Sequence, residues 1–164
     1  MGKWVLKHSD GESYDSEILD LELDEARSLK RLGWERKITW SKYLQKGSLS
    51  KPYKLLVLGD ANKTIQGAIA YKYDEGFVYV ELLESAPTNR HNNPSRTFTN
   101  VSSILLGEAC RKSFEAGFDG FICFKPKSNL DKYYITEFNA AYTGMGQMAI
   151  GTLEARRLIE LYYV

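Results

Sequence analysis

FVYVELLESAPTNRHNNPSRTFTNVSSILLGEACRKSFEAGFDGFICF, Phe77 to Phe124, is the stretch that decides the fold. Phe77 to Ser85 is rich in β-branched and aromatic residues and predicts a strand. Ala86 to Thr99 carries Pro, Asn, Ser and Arg and predicts a polar loop. Asn100 to Gly117 places Val101, Ile104, Leu105, Ala109 and Phe114 on one broad apolar stripe, the pattern of a helix. Phe118 to Pro126 is short and apolar, as a buried strand is. A strand, a crossover helix and a second strand make a parallel unit. The loop enters the helix through Thr97-Phe98-Thr99-Asn100-Val101-Ser102-Ser103. The first N–H groups of a helix lack intrahelical partners, and its dipole adds partial positive charge, so this junction can hold an anion. Asn100 tolerates a left-handed backbone, Ser102 and Ser103 add hydroxyl donors, and Arg90 and Arg96 can reach a phosphate. The plainer alternative is an ordinary capped helix after a surface loop.

Upstream, Tyr53 to Asp60 and Ile65 to Gly76 read as strands separated by the turn Asp60-Ala61-Asn62-Lys63. With Phe77 to Ser85 they form an antiparallel meander. Gly67 inside the second of them marks a bulge or a close backbone approach. Nearer the start, Trp4 to Lys7 reads as a short strand and Asp10 to Glu17 as loop. Asp24 caps a helix carrying Ala26, Leu29 and Leu32, which Gly33 ends. Ser41 to Gly47 adds a helical turn or two. Trp34, Trp40 and Tyr43 either pack a core or line a pocket. Downstream, Ser128-Asn129 opens a helix through Tyr133, Tyr134 and Phe138, Gly146 to Ile150 is a strand, and Thr152 caps a last helix. The expected class is α+β: a mixed sheet, an antiparallel meander followed by a parallel β-α-β unit, with helices on both faces. A chain of 164 residues is expected to form one domain, residues 1–164.

The net charge of +1 makes nucleic acid an unlikely main partner on this reading. No window has the roughly 18 apolar residues of a membrane span and no secretory signal opens the chain, so a cytoplasmic protein without a membrane partner is expected. Cys110 and Cys123 fall in apolar runs and read as buried thiols. His8 and His91 stand far apart and away from either cysteine, so no metal site is expected. Glu81 and Glu84 are the carboxylates of the strand Phe77 to Ser85. At period two they face opposite sides unless a bulge intervenes, and Glu81 shares parity with Leu83 and Ser85.

From Tyr53 onward the chain resembles the GNAT superfamily of acyl-CoA-dependent N-acyltransferases. That superfamily has a strand leading to a proline and an arginine, a pyrophosphate loop of the form Gln/Arg-x-x-Gly-x-Gly/Ala, and a helix with a Leu-Leu pair. Pro87 and Arg90 match the strand exit. Thr97, Asn100 and Ser102 fall at the Gln/Arg, Gly and Gly/Ala positions, and Leu105-Leu106 follow. Gly117-Phe118-Asp119-Gly120-Phe121 and the run Tyr133 to Ala140 are similar to a bacterial subgroup of the superfamily. The likeness covers about the last two-thirds of the chain. It departs from the pattern in a longer loop and in replacing both signature glycines.

The resemblance implies acetyl-CoA as co-substrate and a small-molecule or protein amine as acceptor. Thr99, Asn100, Val101, Ser102, Ser103 and Arg90 would hold the diphosphate. The backbone near Leu83 and Ser85 would pair with the pantetheine arm, and Asn129 would bond its amides. Glu81, with Glu84 as the other candidate, would take the proton of the attacking amine. Tyr134, or alternatively its neighbour Tyr133, would give a proton to the leaving thiolate. The resemblance also admits a protein of the same shape that binds or regulates without catalysing, and a toxin-like or antitoxin-like protein. A homodimer is left open.

Overall fold

The computed structural model describes residues 2–164. Eight strands form one sheet, in the order β1-β2-β3-β4-β5-β6-β8-β7. The strands β1 (Trp4–Lys7), β2 (Ser13–Asp20), β3 (Lys51–Val57), β4 (Gly67–Tyr73) and β5 (Val78–Ser85) pair antiparallel in succession. The helix α2 (Val101–Glu115) then crosses over to β6 (Ile122–Phe124), which lies parallel to β5. The hairpin of β7 (Ala141–Gly144) and β8 (Gln147–Ile150) closes the far side, with β8 against β6. The expected α+β class, meander and parallel unit are all present.

Helices cover both faces. On one, α2, α3 (Asp131–Phe138) and α4 (Thr152–Tyr162) bury Ile104, Leu105, Tyr134, Phe138 and Leu158 against Leu55, Ile69 and Val78 of the sheet. On the other, α1 (Leu23–Ser28) and the 3₁₀ turn Trp40–Leu44 bury Leu29, Trp34 and Trp40 against Ala68 and Ala70. Trp34 and Trp40 are therefore core residues. The small residues of β4 let both layers come close. A Cβ on Gly67 would lie 2.5 Å from Val101 Cγ1 and 3.0 Å from Leu105 Cδ1, so this glycine marks close approach of α2 and not a bulge.

Several local expectations are corrected. Asp10 to Glu17 is not all loop, because β2 begins at Ser13. Only Ser16 of that strand is buried, so its sequence lacks an apolar face. The cap of α1 is Glu22 and not Asp24; the Glu25 carboxylate accepts the Glu22 N–H at 2.9 Å. Thr152 is the first residue of α4, not its cap, and its hydroxyl donates to the Asp119 carbonyl at 2.7 Å. The helix α3 starts after Leu130, and Asn129 sits before it in a left-handed turn at φ 69°.

Candidate active site

The site is built where β5 and β6 part. They pair from Val78/Ile122 to Val80/Phe124 and no further, although β5 runs on to Ser85. At that point the register against β4 shifts: Ala70 pairs with Leu82 and Tyr71 with Val80, leaving Glu81 as the extra residue of a bulge. The bulge reverses the parity of everything beyond it. Val78 and Val80 face the α2 layer, and after the bulge Leu83 does, while Leu82 faces the α1 layer. The backbone reverses as well. The Val78 N–H donates toward β6, to the Phe121 carbonyl, whereas the Ala86 N–H donates toward β4, to the Gln66 carbonyl. Alternation back from Ala86 turns the N–H groups of Leu83 and Ser85 into the gap that β6 has vacated.

The bulge places Glu81 at the break in register. Glu81 is exposed, stands 3.9 Å from Lys72, and borders only a narrow slot of about 40 Å³ between the parted strands. Glu84, 5% exposed, lines a wider cavity beside that slot, as does the exposed Glu35. Glu84 is ion-paired and held: Oε1 accepts Trp40 Nε1–H at 2.8 Å, Oε2 accepts the Glu35 N–H at 2.8 Å, and Arg90 lies 3.8 Å away.

The cavity measures about 350 Å³. The end of β5 contributes Leu83, Glu84 and Ser85, the loop after it Arg90 and His91, and the start of α2 Ser102. The segment after β6 adds Lys127 and Leu130, α3 adds Tyr133 and Tyr134, and Glu35 closes one side. The slot shares Leu83, Lys127 and Tyr134 with the cavity, so the two meet along the gap between β5 and β6.

At the start of α2 the N–H groups of Val101, Ser102 and Ser103 donate to no group among the described residues, and no side chain caps the helix. The other helices carry acids in their first turn: Asp24 and Glu25 in α1, Asp131 in α3 and Glu154 in α4. The first turn of α2 has none. The loop just before it is different. The N–H of Thr97 donates to the Thr88 carbonyl, that of Phe98 to Asn89 Oδ1, and that of Thr99 to the Lys7 carbonyl. The Asn100 side chain accepts the Lys7 N–H at 2.8 Å and donates to the Val5 carbonyl at 3.0 Å. Its backbone, at φ −123°, is not left-handed. Thr99 and Asn100 therefore stitch the loop to β1, and the free donors begin at Val101.

Tyr134 is 9% exposed and lines both the cavity and the slot. Burial raises its pKa to about 12, with neighbouring Tyr133 adding to the effect. Its ring lies 4.7 Å from Phe124, and its hydroxyl has no hydrogen-bond partner among the described residues. Tyr133, the alternative to Tyr134, lines the cavity too. It stacks on His91 at 4.5 Å; burial raises its pKa, and the Ser102 hydroxyl beside it works the other way. Ser103 faces a separate cleft between α2, α3 and α4, Val101 is packed in the core, and Asn129 is exposed outside the cavity. His91, Lys127 and Glu35 were not singled out from the sequence. Lys127 was signalled only by its nearness to the end of β6, and nothing local pointed to Glu35. Among the described residues no cluster of His, Cys, Asp or Glu could hold a metal ion, and no helix is long and apolar enough to cross a membrane.

No family's sequence pattern and no curated protein matches the chain. Solved structures do. One is AtaT complexed with acetyl-methionyl-tRNAfMet, at TM-score 0.60 and 10% identity over 88% of this chain and 99% of that one. Another is a chimera of the spermidine N-acetyltransferase SpeG from Vibrio cholerae and hSSAT, at 0.57 and 13%, over 87% and 98%. A third is the PaiA N-acetyltransferase from Thermoplasma acidophilum in complex with coenzyme A, at 0.54 and 14%, over 83% and 98%. By sheet order, parted β5–β6 pair and these likenesses, the chain has the fold of the GNAT N-acetyltransferases.

Proposed function

We propose that this chain is an N-acyltransferase that moves an acetyl group from acetyl-CoA to an amine by direct attack in a ternary complex. The observation that carries the reading is the start of α2: three free N–H groups, no cap and no acid, beside a cavity that also holds the unpartnered Tyr134 hydroxyl. The residues present fit the carrier. Val101, Ser102 and Ser103 offer the diphosphate amide donors and the positive end of a helix. The N–H groups of Leu83 and Ser85 offer an extended arm a strand-like partner.

Acetyl-CoA supplies an acyl group already activated as a thioester. The chain binds, aligns and moves protons. An N–H near Leu83 is turned toward the gap, where it can stabilise negative charge on the acyl oxygen. The amine forms the new C–N bond as the C–S bond breaks. Glu84, which lines the cavity, takes the proton that the amine gives up. Tyr134 donates a hydrogen bond to the sulfur. With its pKa near 12 against about 8.5 for an alkyl thiol, full proton transfer would be uphill by roughly 5 kcal/mol. The phenol therefore stabilises the thiolate chiefly as a donor, and the thiolate is protonated on release. Neither cysteine serves as nucleophile. Burial raises the pKa of both, and Cys110 is fully enclosed.

A second reading, a protein that binds the carrier without catalysing, is favoured by the loop N–H groups of Thr97, Phe98 and Thr99 that are used internally. A screen of amines and peptides with thiol release as readout separates the two. Turnover with any amine supports the enzyme. Binding of acetyl-CoA with no turnover across the screen supports the second reading.

A further inference from the structure

We propose that the outer face of residues 27–51 binds RNA, and that the acceptor amine reaches the cavity at the end of a phosphodiester chain; the second half rests on the acyltransferase reading. The whole-chain charge of +1 hides a strong segregation. Residues 8–26 contain eight carboxylates and no Lys or Arg. Residues 27–51 contain eight Lys and Arg, from Arg27 through Lys30, Arg31, Arg36 and Lys37 to Lys51, against the single carboxylate of Glu35. The basic segment alone is formally +7.

All eight of those cations are exposed. None has a carboxylate within 4.0 Å among the described residues, while elsewhere Lys54 pairs with Glu25 at 2.6 Å and Arg111 with Glu108 at 2.9 Å. The segment turns Leu29, Trp34 and Trp40 inward onto β4, so its cations are left outside. It is also a wall of the cavity. Glu35 lines it and is tied by its N–H to Glu84, and the Gly33 carbonyl accepts Arg90 at 3.3 Å. Of the segment, Glu35 alone lines the cavity, so a polyanion on this face would bring its end in at Glu35, next to Glu84.

Phosphodiester is the occupant the residues favour. Five of the eight cations are Lys, flexible point charges suited to a phosphate chain more than to bidentate carboxylate pairing. The strands beneath the segment, β4 and β5, lie inside the sheet, so no free strand edge is offered there to a peptide that would add as a strand.

The test is fluorescence anisotropy with a labelled, uncharged tRNA transcript. Polyglutamate of similar charge and vesicles of phosphatidylserine serve as rival ligands, because Leu32, Leu44 and Leu49 are exposed in the same segment. Contact with four to six phosphates predicts affinity falling about 10²- to 10³-fold between 50 and 200 mM salt. Lys30→Glu/Arg31→Glu/Arg36→Glu/Lys37→Glu should weaken binding at least tenfold. So should Lys42→Glu/Lys46→Glu/Lys51→Glu, which guards against a folding defect in the first variant. Lys63→Glu/Lys132→Glu/Arg156→Glu/Arg157→Glu, the same charge change elsewhere, should retain it. Absent binding, equal loss in the control variant, or tighter binding to polyglutamate or vesicles overturns the proposal. Acetyl-CoA titrated into the wild type reports on the acyltransferase reading separately: absent carrier binding there, with RNA binding intact, counts against that reading and not against the surface.

Discussion

Replacing Ser102 by Asp should make the protein more stable and its carrier site worse. The first turn of α2 lacks both an acid and a capping side chain. A carboxylate there meets the free N–H groups and the positive end of the dipole, worth about 0.3–1 kcal/mol. For a domain of this size that is a rise of roughly 1–4 °C in Tm. The same carboxylate occupies the anion position. It withdraws charge-assisted bonds worth about 1.5–3 kcal/mol each. It also sets a like charge against the diphosphate, on the order of 4 kcal/mol at 4 Å and an effective dielectric of 20. Affinity for acetyl-CoA should fall by at least about 100-fold. Ser102→Ala, which keeps the N–H groups and removes only the hydroxyl, should cost less than about tenfold. Thermal melting and calorimetric titration on the three proteins decide it. If Ser102→Asp melts higher yet binds acetyl-CoA within twofold of wild type, the anion site is not at this helix start.

Other changes test other parts. Tyr134→Phe removes a hydroxyl with no protein partner, so stability at neutral pH should hold within about 0.5 kcal/mol while turnover with a working amine falls about 10- to 150-fold, the worth of one bond to a charged sulfur. Unchanged turnover removes Tyr134 from the mechanism. The same pair has a pH signature. Burial raises the Tyr134 pKa to about 12 from an unfolded value near 10. Its contribution is thus complete below pH 10 and is lost as pH rises toward 12, so wild type should lose up to about 2.7 kcal/mol relative to Tyr134→Phe over that interval in denaturant titrations. Parallel slopes for the two would refute the burial argument. Glu84→Gln should cost about 1.5–3 kcal/mol through its bonds to Trp40 and Glu35 and lower turnover about 10²- to 10⁴-fold, whereas Glu81→Gln should change both little; the reverse ranking would return the base to Glu81. Gly67→Ala should destabilise by about 1–3 kcal/mol, because its Cβ meets Val101 and Leu105, and should weaken acetyl-CoA binding by displacing the start of α2. A stable variant with normal binding would show that α2 has room to move.

The parallel unit was legible because its strand, helix and strand are each locally consistent, and because a βαβ crossover has one common solution. The parity of β5 was not legible. A bulge is one extra residue opposite a partner strand, and Val80-Glu81-Leu82 carries no glycine or turn residue to mark it. The alternation rule therefore put Glu81 on one face with Leu83 and Ser85, whereas the bulge sets Leu83 on the face of Val78 and Val80. Strands β2 and β7 were missed for a shared reason: each is largely solvated, so its sequence has no apolar face. Asn100 read as a helix-entry residue, but its side chain bonds Val5 and Lys7, about ninety positions away, which no local pattern reports. Tyr133 and Tyr134 point about 100° apart around α3. A cavity that wraps that helix touches both.

The account stands on a diphosphate at the start of α2, and the most direct measurement is a calorimetric comparison of acetyl-CoA with S-acetylpantetheine, which keeps the thioester and arm but lacks the diphosphate. Saturation by acetyl-CoA at micromolar concentration, with acetylpantetheine at least about 100-fold weaker, is the predicted result. No heat from acetyl-CoA at millimolar concentration, or equal affinity for the two, contradicts it.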